Sequence, residues 1–162
     1  MEKDLTAIEI VGIAIVKERE AQDLYKRMSA EIKNPLVSEK FISLSREEKK
    51  HEQILSHLYL KMTGENQVKI PQIKGMIIKI ELPKTDASLD ELFTFAIKRE
   101  REAQQLYVKG ADAAVDENGR RTFRYLANFE HQHEVVLTAE FENYKRDSSW
   151  YAECPDIILE GP

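Results

Sequence analysis

Residues 14–25 read AIVKEREAQDLY, and 82 positions later residues 96–107 read AIKREREAQQLY. Self-similarity at a fixed offset indicates repeated structural units. The sequence therefore predicts two helical hairpins of common origin, packed about a pseudo-two-fold axis. Without any gap, the same offset also matches Phe41, Leu44, Glu48, His51, Glu52 and Leu55 with Phe123, Leu126, Glu130, His133, Glu134 and Leu137.

Composition limits the class of protein. A chain of 162 residues is long enough for one domain with its own core, and six glycines and five prolines favour helices. The net charge of -5 lacks the positive excess that is typical of proteins that bind nucleic acid or an anionic membrane. A single cysteine, Cys154, cannot form an internal disulfide, and the apolar run at residues 8–16 is too short to span a bilayer. We therefore expect a cytoplasmic protein that binds neither nucleic acid nor membrane.

Capping and turn residues set the limits of four helices. Asn34-Pro35 is typical of a helix start, because asparagine caps the first turn and proline is tolerated there. Residues 88–91 form a capping box, Gly64 suits a helix end, and Asn118-Gly119 is expected to separate the last two helices. The first two expected helices cover residues 5–32 and 34–63. The third begins at residue 88 and ends before Asn118-Gly119, and the fourth runs from there to about residue 146.

The link at residues 65–87 is long for a compact domain. A crossover along the bundle would explain its length and would make the second and third helices parallel. The apolar stretch at residues 76–82 is then expected to lie on the bundle surface. The predicted fold is all-α, an antiparallel four-helix bundle over residues 1–146 with a C-terminal tail, 147–162, whose Trp150 and Tyr151 cover a bundle end or a partner chain.

Apolar residues at steps of three and four define the buried face of each helix. Each helix places one glutamate on that face, and two helices add a histidine one turn later, where both side chains can reach one centre. Two Glu plus two Glu-x-x-His motifs are the pattern of di-iron and di-manganese bundles. The six candidate metal ligands are Glu18, Glu48, His51, Glu100, Glu130 and His133.

Charge balance supports the same conclusion. Four ionised carboxylates in a dry core would be very costly, whereas two divalent cations would neutralise them. Carboxylate and imidazole ligands suit iron or manganese, and no cysteine joins the set to favour zinc. The alternative is a bundle with buried salt bridges, but no Arg or Lys falls on these stripes at the matching level. Glu20 and Glu102 lie off the stripes and are expected to be solvated.

These motifs resemble those of the rubrerythrin family, within the ferritin-like superfamily. That family carries Glu-x6-Tyr followed by Glu-x-x-His, twice, and the resemblance covers about residues 5–146. It implies a ferritin-like bundle with two iron ions, or manganese as the alternative metal, in its core. By resemblance, Glu48 and Glu130 bridge the metals, Glu18 and Glu100 are terminal ligands, His51 and His133 each bind one metal, and Tyr25 and Tyr107 hydrogen-bond to the opposite bridging carboxylates.

Two departures from the family pattern matter. Many rubrerythrins have an extra glutamate where this chain has Ala103, whose repeat mate is Ala21, so the site should be symmetric with six ligands, as in bacterioferritin. The tail has only Cys154 and lacks the paired Cys-x-x-Cys motifs of a rubredoxin domain. Electrons must then come from a separate donor protein such as rubredoxin.

The resemblance implies a peroxidase of oxidative-stress defence that reduces hydrogen peroxide. Three alternatives stay open: a ferroxidase or iron-storage protein that uses dioxygen, a manganese catalase, and a metal-free structural bundle. We also expect a homo-oligomer, dimeric or larger.

Overall fold

The computed structural model describes residues 4–70 and 82–153, and within them every regular element is helical. No helix in this described part is long and apolar enough to cross a membrane. The expected surface position of residues 76–82 lies outside the described residues, apart from Leu82, which is exposed. The predicted all-α architecture is confirmed: the helices are α1 (Ala7–Glu31), α2 (Pro35–Thr63), α3 (Leu89–Ala113), α4 (Glu117–Arg146) and the short α5 (Ser149–Ala152).

Side-chain caps fix most helix ends where the sequence predicted them. The Asn34 side chain accepts a hydrogen bond from the Leu36 amide at 3.0 Å, at the start of α2. The Ser88 hydroxyl accepts from the Glu91 amide at 3.2 Å, at the start of α3. Gly64 ends α2 with a φ of 70°, a left-handed conformation that glycine adopts without strain.

The predicted break at Asn118-Gly119 is wrong. Both residues lie in the first turn of α4, and the chain turns at residues 114–116 instead. The Asp116 side chain accepts a hydrogen bond from the Gly119 amide at 2.7 Å, so this aspartate is the helix cap. A cap satisfies amide groups that the helix leaves free, and here it outweighs the turn preference of Asn-Gly.

Two apolar clusters, one at each end of the bundle, establish the direction of the helices. The first joins the start of α1 and of α4 to the end of α2 and of α3, with Ile15, Leu55, Tyr107 and Phe123 among its members. The second joins the opposite ends of the same four helices. Helices α2 and α3 are therefore parallel, as the crossover prediction required, and a polar layer remains between the two clusters.

Equivalent contacts in the two hairpins show the expected pseudo-symmetry. The ring centroids of Tyr25 and Phe41 lie 6.4 Å apart, and those of their repeat mates Tyr107 and Phe123 also lie 6.4 Å apart. Between hairpin helices, Arg19 pairs with Glu52 at 3.0 Å, and the repeat-equivalent Arg101 pairs with Glu134 at 2.6 Å. The repeat in sequence is thus a repeat in structure.

The beginning of the tail covers the end of the bundle where α1 joins α2. Tyr151 is buried against the rings of Phe93 and Tyr144, and its backbone oxygen accepts a hydrogen bond from the Lys33 amide at 3.0 Å. The Asn34 side chain donates to the Trp150 oxygen at 2.9 Å. Of the two tail residues expected to cover a bundle end or a partner chain, Tyr151 covers this bundle end, whereas the Trp150 side chain is 40% exposed. Cys154 lies outside the described residues.

Candidate metal centre

The polar layer between the two apolar clusters contains all six predicted ligands. The helices bring them together because each ligand lies on the apolar stripe of its own helix, about halfway between the bundle ends. No member of the set is more than 3% exposed: the residues are Glu18, Glu48, His51, Glu100, Glu130 and His133.

Four of these side chains form a tight group. Ligand atoms of Glu48, His51, Glu130 and His133 all lie within 4.8 Å of one another. Nδ1 of His51 lies 2.9 Å from Oε2 of Glu48 and 2.9 Å from Oε1 of Glu130. Nδ1 of His133 lies 3.0 Å from the other oxygen of Glu48. Both carboxylates thus contact both imidazoles, which is the position that a bridging ligand requires.

Glu18 and Glu100 lie at the two sides of this group. Glu18 Oε2 is 3.9 Å from Nδ1 of His51, and Glu100 Oε2 is 3.8 Å from Nδ1 of His133. Each of the two glutamates therefore faces only one imidazole, as expected of terminal ligands.

The two buried tyrosines contact the glutamates at the sides, and not the central ones. The Tyr25 hydroxyl donates to Glu100, and the Tyr107 hydroxyl donates to Glu18. The prediction that they bond to the bridging carboxylates is wrong. Helices α1 and α3 are antiparallel neighbours, so a tyrosine two turns beyond the glutamate of one helix reaches the glutamate of the other. Each hydroxyl fixes one carboxylate oxygen, and the second oxygen of Glu100 has no hydrogen-bond partner.

The four buried carboxyl groups fall into two classes by their pKa values, which are raised at the sides of the site and lowered at its centre. Burial raises the pKa of Glu18 well above its usual range, and the charges of Glu48 and Glu130 raise it further. Burial and the same two charges raise the pKa of Glu100 in the same way. Without a metal, these two carboxyl groups therefore hold their protons far more strongly than ordinary glutamates do.

The two central glutamates and the two histidines, in contrast, are charged in the metal-free protein. Burial raises the pKa values of Glu48 and Glu130, but hydrogen bonds, from both histidines among others, outweigh it, so both pKa values lie below the usual range. Burial lowers the histidine pKa values, but hydrogen bonds to the two carboxylates raise that of His51 to about 9 and that of His133 to about 11. The metal-free core is then held by imidazolium–carboxylate pairs.

The donor set fits a pair of divalent metal ions. The Glu100 Oε2 atom is fully buried and accepts no hydrogen bond. Oε1 of Glu130 and Oε2 of Glu48 both lie 2.9 Å from Nδ1 of His51, so a single donor atom faces two carboxylate oxygens. Buried acceptors that lack their full set of donors are costly, and a cation in their midst would satisfy them. Carboxylate oxygens and imidazole nitrogens suit iron or manganese.

Glu20 is buried, so the prediction that it is solvated is wrong. It is 3% exposed and forms an ion pair with Arg99, which is 9% exposed, whereas its repeat mate Glu102 is exposed as expected. Arg99 also donates to the Lys17 backbone oxygen at 3.1 Å. A buried basic residue does therefore lie beside the metal layer, but it pairs with Glu20 and not with any of the six candidate ligands.

Glu47 contacts the site and was missed because it lies beside the apolar stripe of α2. Its Oε2 accepts a hydrogen bond from Nε2 of His133 at 2.6 Å, while its side chain stays 43% exposed. The signal that could have found it is its place next to Glu48, on the side of α2 that faces α4.

A cavity of about 190 Å³ opens onto the carboxylates between α1 and α3. Its walls are mostly aliphatic, and the repeat mates Ala21 and Ala103 leave the space that larger side chains would fill. Lys17 and Glu102 are its more exposed lining residues. The glutamates at its floor are Glu18, Glu48, Glu100 and Glu130, and the aliphatic walls are formed by Ile13, Ala21, Ala103 and Leu106.

Comparison with known proteins agrees with this geometry. The family model described as Rubrerythrin matches residues 9–141. A hypothetical protein from Pyrococcus furiosus is similar in structure, with 32% identity, a TM-score of 0.73, and coverage of 86% of this chain and 90% of that one. A Thermotoga maritima protein described as a candidate ferritin-like diiron-carboxylate protein has 19% identity and a TM-score of 0.66, over 91% and 99% of the two chains, which confirms the predicted ferritin-like fold. No protein with a curated description matches the sequence.

Proposed function

The chain belongs to the rubrerythrin family, and from that premise we propose that it is a di-iron oxidoreductase that reduces hydrogen peroxide. The observation that supports this proposal best is the buried group of Glu48, His51, Glu130 and His133, beside which the Oε2 atom of Glu100 is buried without a hydrogen-bond partner. Two ferrous ions, when bound, supply the two electrons that, with two protons, convert one peroxide molecule into two water molecules. An external donor protein such as rubredoxin returns those electrons.

The chain itself contributes position and access. Glu48 and Glu130 each face both imidazoles, so they are the residues that would hold a pair of metal ions together. The hydroxyls of Tyr25 and Tyr107 fix one oxygen of each terminal glutamate. The central glutamates and the terminal glutamates are therefore in position before the oxidant arrives. This reduces the free-energy cost of rearranging them during the reaction.

The cavity between α1 and α3 is the route by which a small oxidant reaches the carboxylates. Its volume of about 190 Å³ admits peroxide or dioxygen. Its aliphatic walls limit the number of water molecules at the floor, where charge interactions are stronger because the dielectric constant is low. The small Ala21 and Ala103 side chains keep this route open.

A stopped-flow comparison of oxidants tests the proposal. The anaerobic diferrous protein is mixed with hydrogen peroxide or with dioxygen, and ferric absorbance is followed against Glu130→Ala as the metal-deficient control. We expect one peroxide consumed per two ferrous ions, and faster oxidation by peroxide than by dioxygen.

Other outcomes would identify the alternatives. Faster oxidation by dioxygen would favour a ferroxidase, and oxygen release from peroxide by the manganese form would favour a catalase. Failure to bind metal would leave a structural bundle. The unpartnered, buried Oε2 atom of Glu100 argues against that last alternative, because a metal-free bundle gains nothing from retaining it.

A further inference from the structure

The repeat symmetry breaks at one pair of positions beside the metal centre. Glu47 on α2 and Phe129 on α4 are 82 residues apart and therefore occupy equivalent places in the two hairpins. Glu47 accepts a hydrogen bond from Nε2 of His133 at 2.6 Å. Phe129 instead packs edge-on to the ring of His51, with 5.4 Å between the ring centroids.

The two imidazoles are consequently unlike as metal ligands. Both histidines direct Nδ1 at the carboxylates, so Nε2 is the outer nitrogen of each. A carboxylate that accepts the outer N–H of a metal-bound histidine fixes the tautomer and ring orientation and makes the ligating nitrogen more basic. The phenyl ring of Phe129 has no lone pair to accept such a hydrogen bond. In the described part of the chain, no carboxylate faces Nε2 of His51.

Charge adds to the difference. Glu47 brings a carboxylate to the outer side of His133, whereas Phe129 brings only an apolar ring to His51. The six candidate ligands themselves are distributed evenly, because Glu18 lies beside His51 as Glu100 lies beside His133.

We infer that Glu47 makes the His133 position the tighter of two inequivalent metal positions, so that the chain has a stable one-metal form and exchanges its second metal at His51. This inference rests on the proposed metal centre and adds the order in which it fills. Removal of outer-sphere partners of this kind costs roughly 10–100-fold in metal affinity, so the two positions differ by about that factor.

The test is an anaerobic titration of the full-length, metal-free protein with Co²⁺, followed by optical absorption and by proton NMR. The wild type should bind two ions per chain in two steps. At one Co²⁺ per chain, one imidazole N–H should give a strongly shifted, slowly exchanging proton signal, because it is donated to Glu47. Glu47→Gln should weaken the tight step by roughly 10–100-fold and make that proton exchange faster.

Two control variants separate this effect from a general loss of charge. Glu39→Gln removes an exposed glutamate of the same helix that pairs with Arg46, and it should leave both steps unchanged. Phe129→Glu places a carboxylate beside His51 and should strengthen the weak step until the two steps converge. Circular dichroism would establish that each variant is folded.

The outcomes distinguish the inference from the function on which it rests. The two metal positions share Glu48 and Glu130, so any such pair of sites can fill in two steps. The role of Glu47 is therefore tested by how the variants change the two steps. If Glu47→Gln behaves as Glu39→Gln does, the inference is overturned and the metal centre stands. If the wild type binds no Co²⁺, the metal centre itself is wrong.

Discussion

The metal-free protein should lose stability as the pH rises, because its core histidines hold protons that the unfolded chain releases. The pKa of His51 is raised from 6.5 to about 9, and that of His133 to about 11. Their contribution to stability is fully present below pH 6.5 and is lost as the pH rises through about 9 and about 11 respectively. The raised pKa values of Glu18 and Glu100 act in the same direction.

The size of the effect follows from the shifts. One pKa unit corresponds to about 1.4 kcal/mol, so the two histidines together should cost the metal-free protein about 2–5 kcal/mol between pH 6.5 and 8.5. That is a large share of the roughly 5–15 kcal/mol that holds a domain folded. Glu48 and Glu130 have lowered pKa values, so their contributions are already complete in this interval and add no slope.

Urea unfolding followed by circular dichroism at pH 6.5, 7.5 and 8.5 measures the slope. Saturating Mn²⁺ should flatten it or reverse it, because the bound metal replaces the Nδ1 protons and binds more tightly as protons become scarce. His51→Gln should remove about half of the slope, whereas His57→Gln, at an exposed position, should leave it unchanged. A metal-free protein whose stability is constant or rises over this range would show that the two histidines are not held protonated in the folded state.

Three further predictions concern packing, hydrogen bonding and access. Gly110→Ala should destabilise the fold by about 1–2 kcal/mol in urea unfolding, because the added Cβ would lie 2.6 Å from the Phe123 ring and overpacking exceeds the gain in helix propensity; a stabilised variant would contradict this. Tyr25→Phe and Tyr107→Phe should each cost about 1–3 kcal/mol and, by symmetry, nearly the same amount, so clearly unequal losses would argue against equivalent sites. Ala103→Leu should fill the cavity and slow oxidation of the diferrous protein without preventing metal binding, and an unchanged stopped-flow rate would exclude the cavity as the route.

The repeat and the helical periodicity predicted most of the fold. The 82-residue offset predicted equivalent contacts, and the structure has them, as in the matching Tyr25–Phe41 and Tyr107–Phe123 ring pairs. Periodicity placed Glu48 in the core because the apolar stripe on either side of it is continuous. These features depend on which face of a helix is buried, and sequence spacing reports that directly.

The missed features depend on how far individual side chains reach. Glu47 and Glu20 lie beside the stripe, and only the positions of His133 and Arg99 on neighbouring helices decide their contacts. Spacing along one helix does not contain that information. The turn at residues 114–116 was missed for a different reason, because Asp116 caps α4 through a hydrogen bond that competes with the Asn118-Gly119 turn signal.

The proposed function depends on two metal ions held by the buried carboxylates and imidazoles. An anaerobic titration of the metal-free protein with ferrous iron, counting the ions bound per chain, is the direct test. We predict two ions per chain in the wild type and loss of tight binding in Glu130→Ala, because that glutamate faces both imidazoles. No binding, or loose binding that is the same in Glu130→Ala, would contradict it.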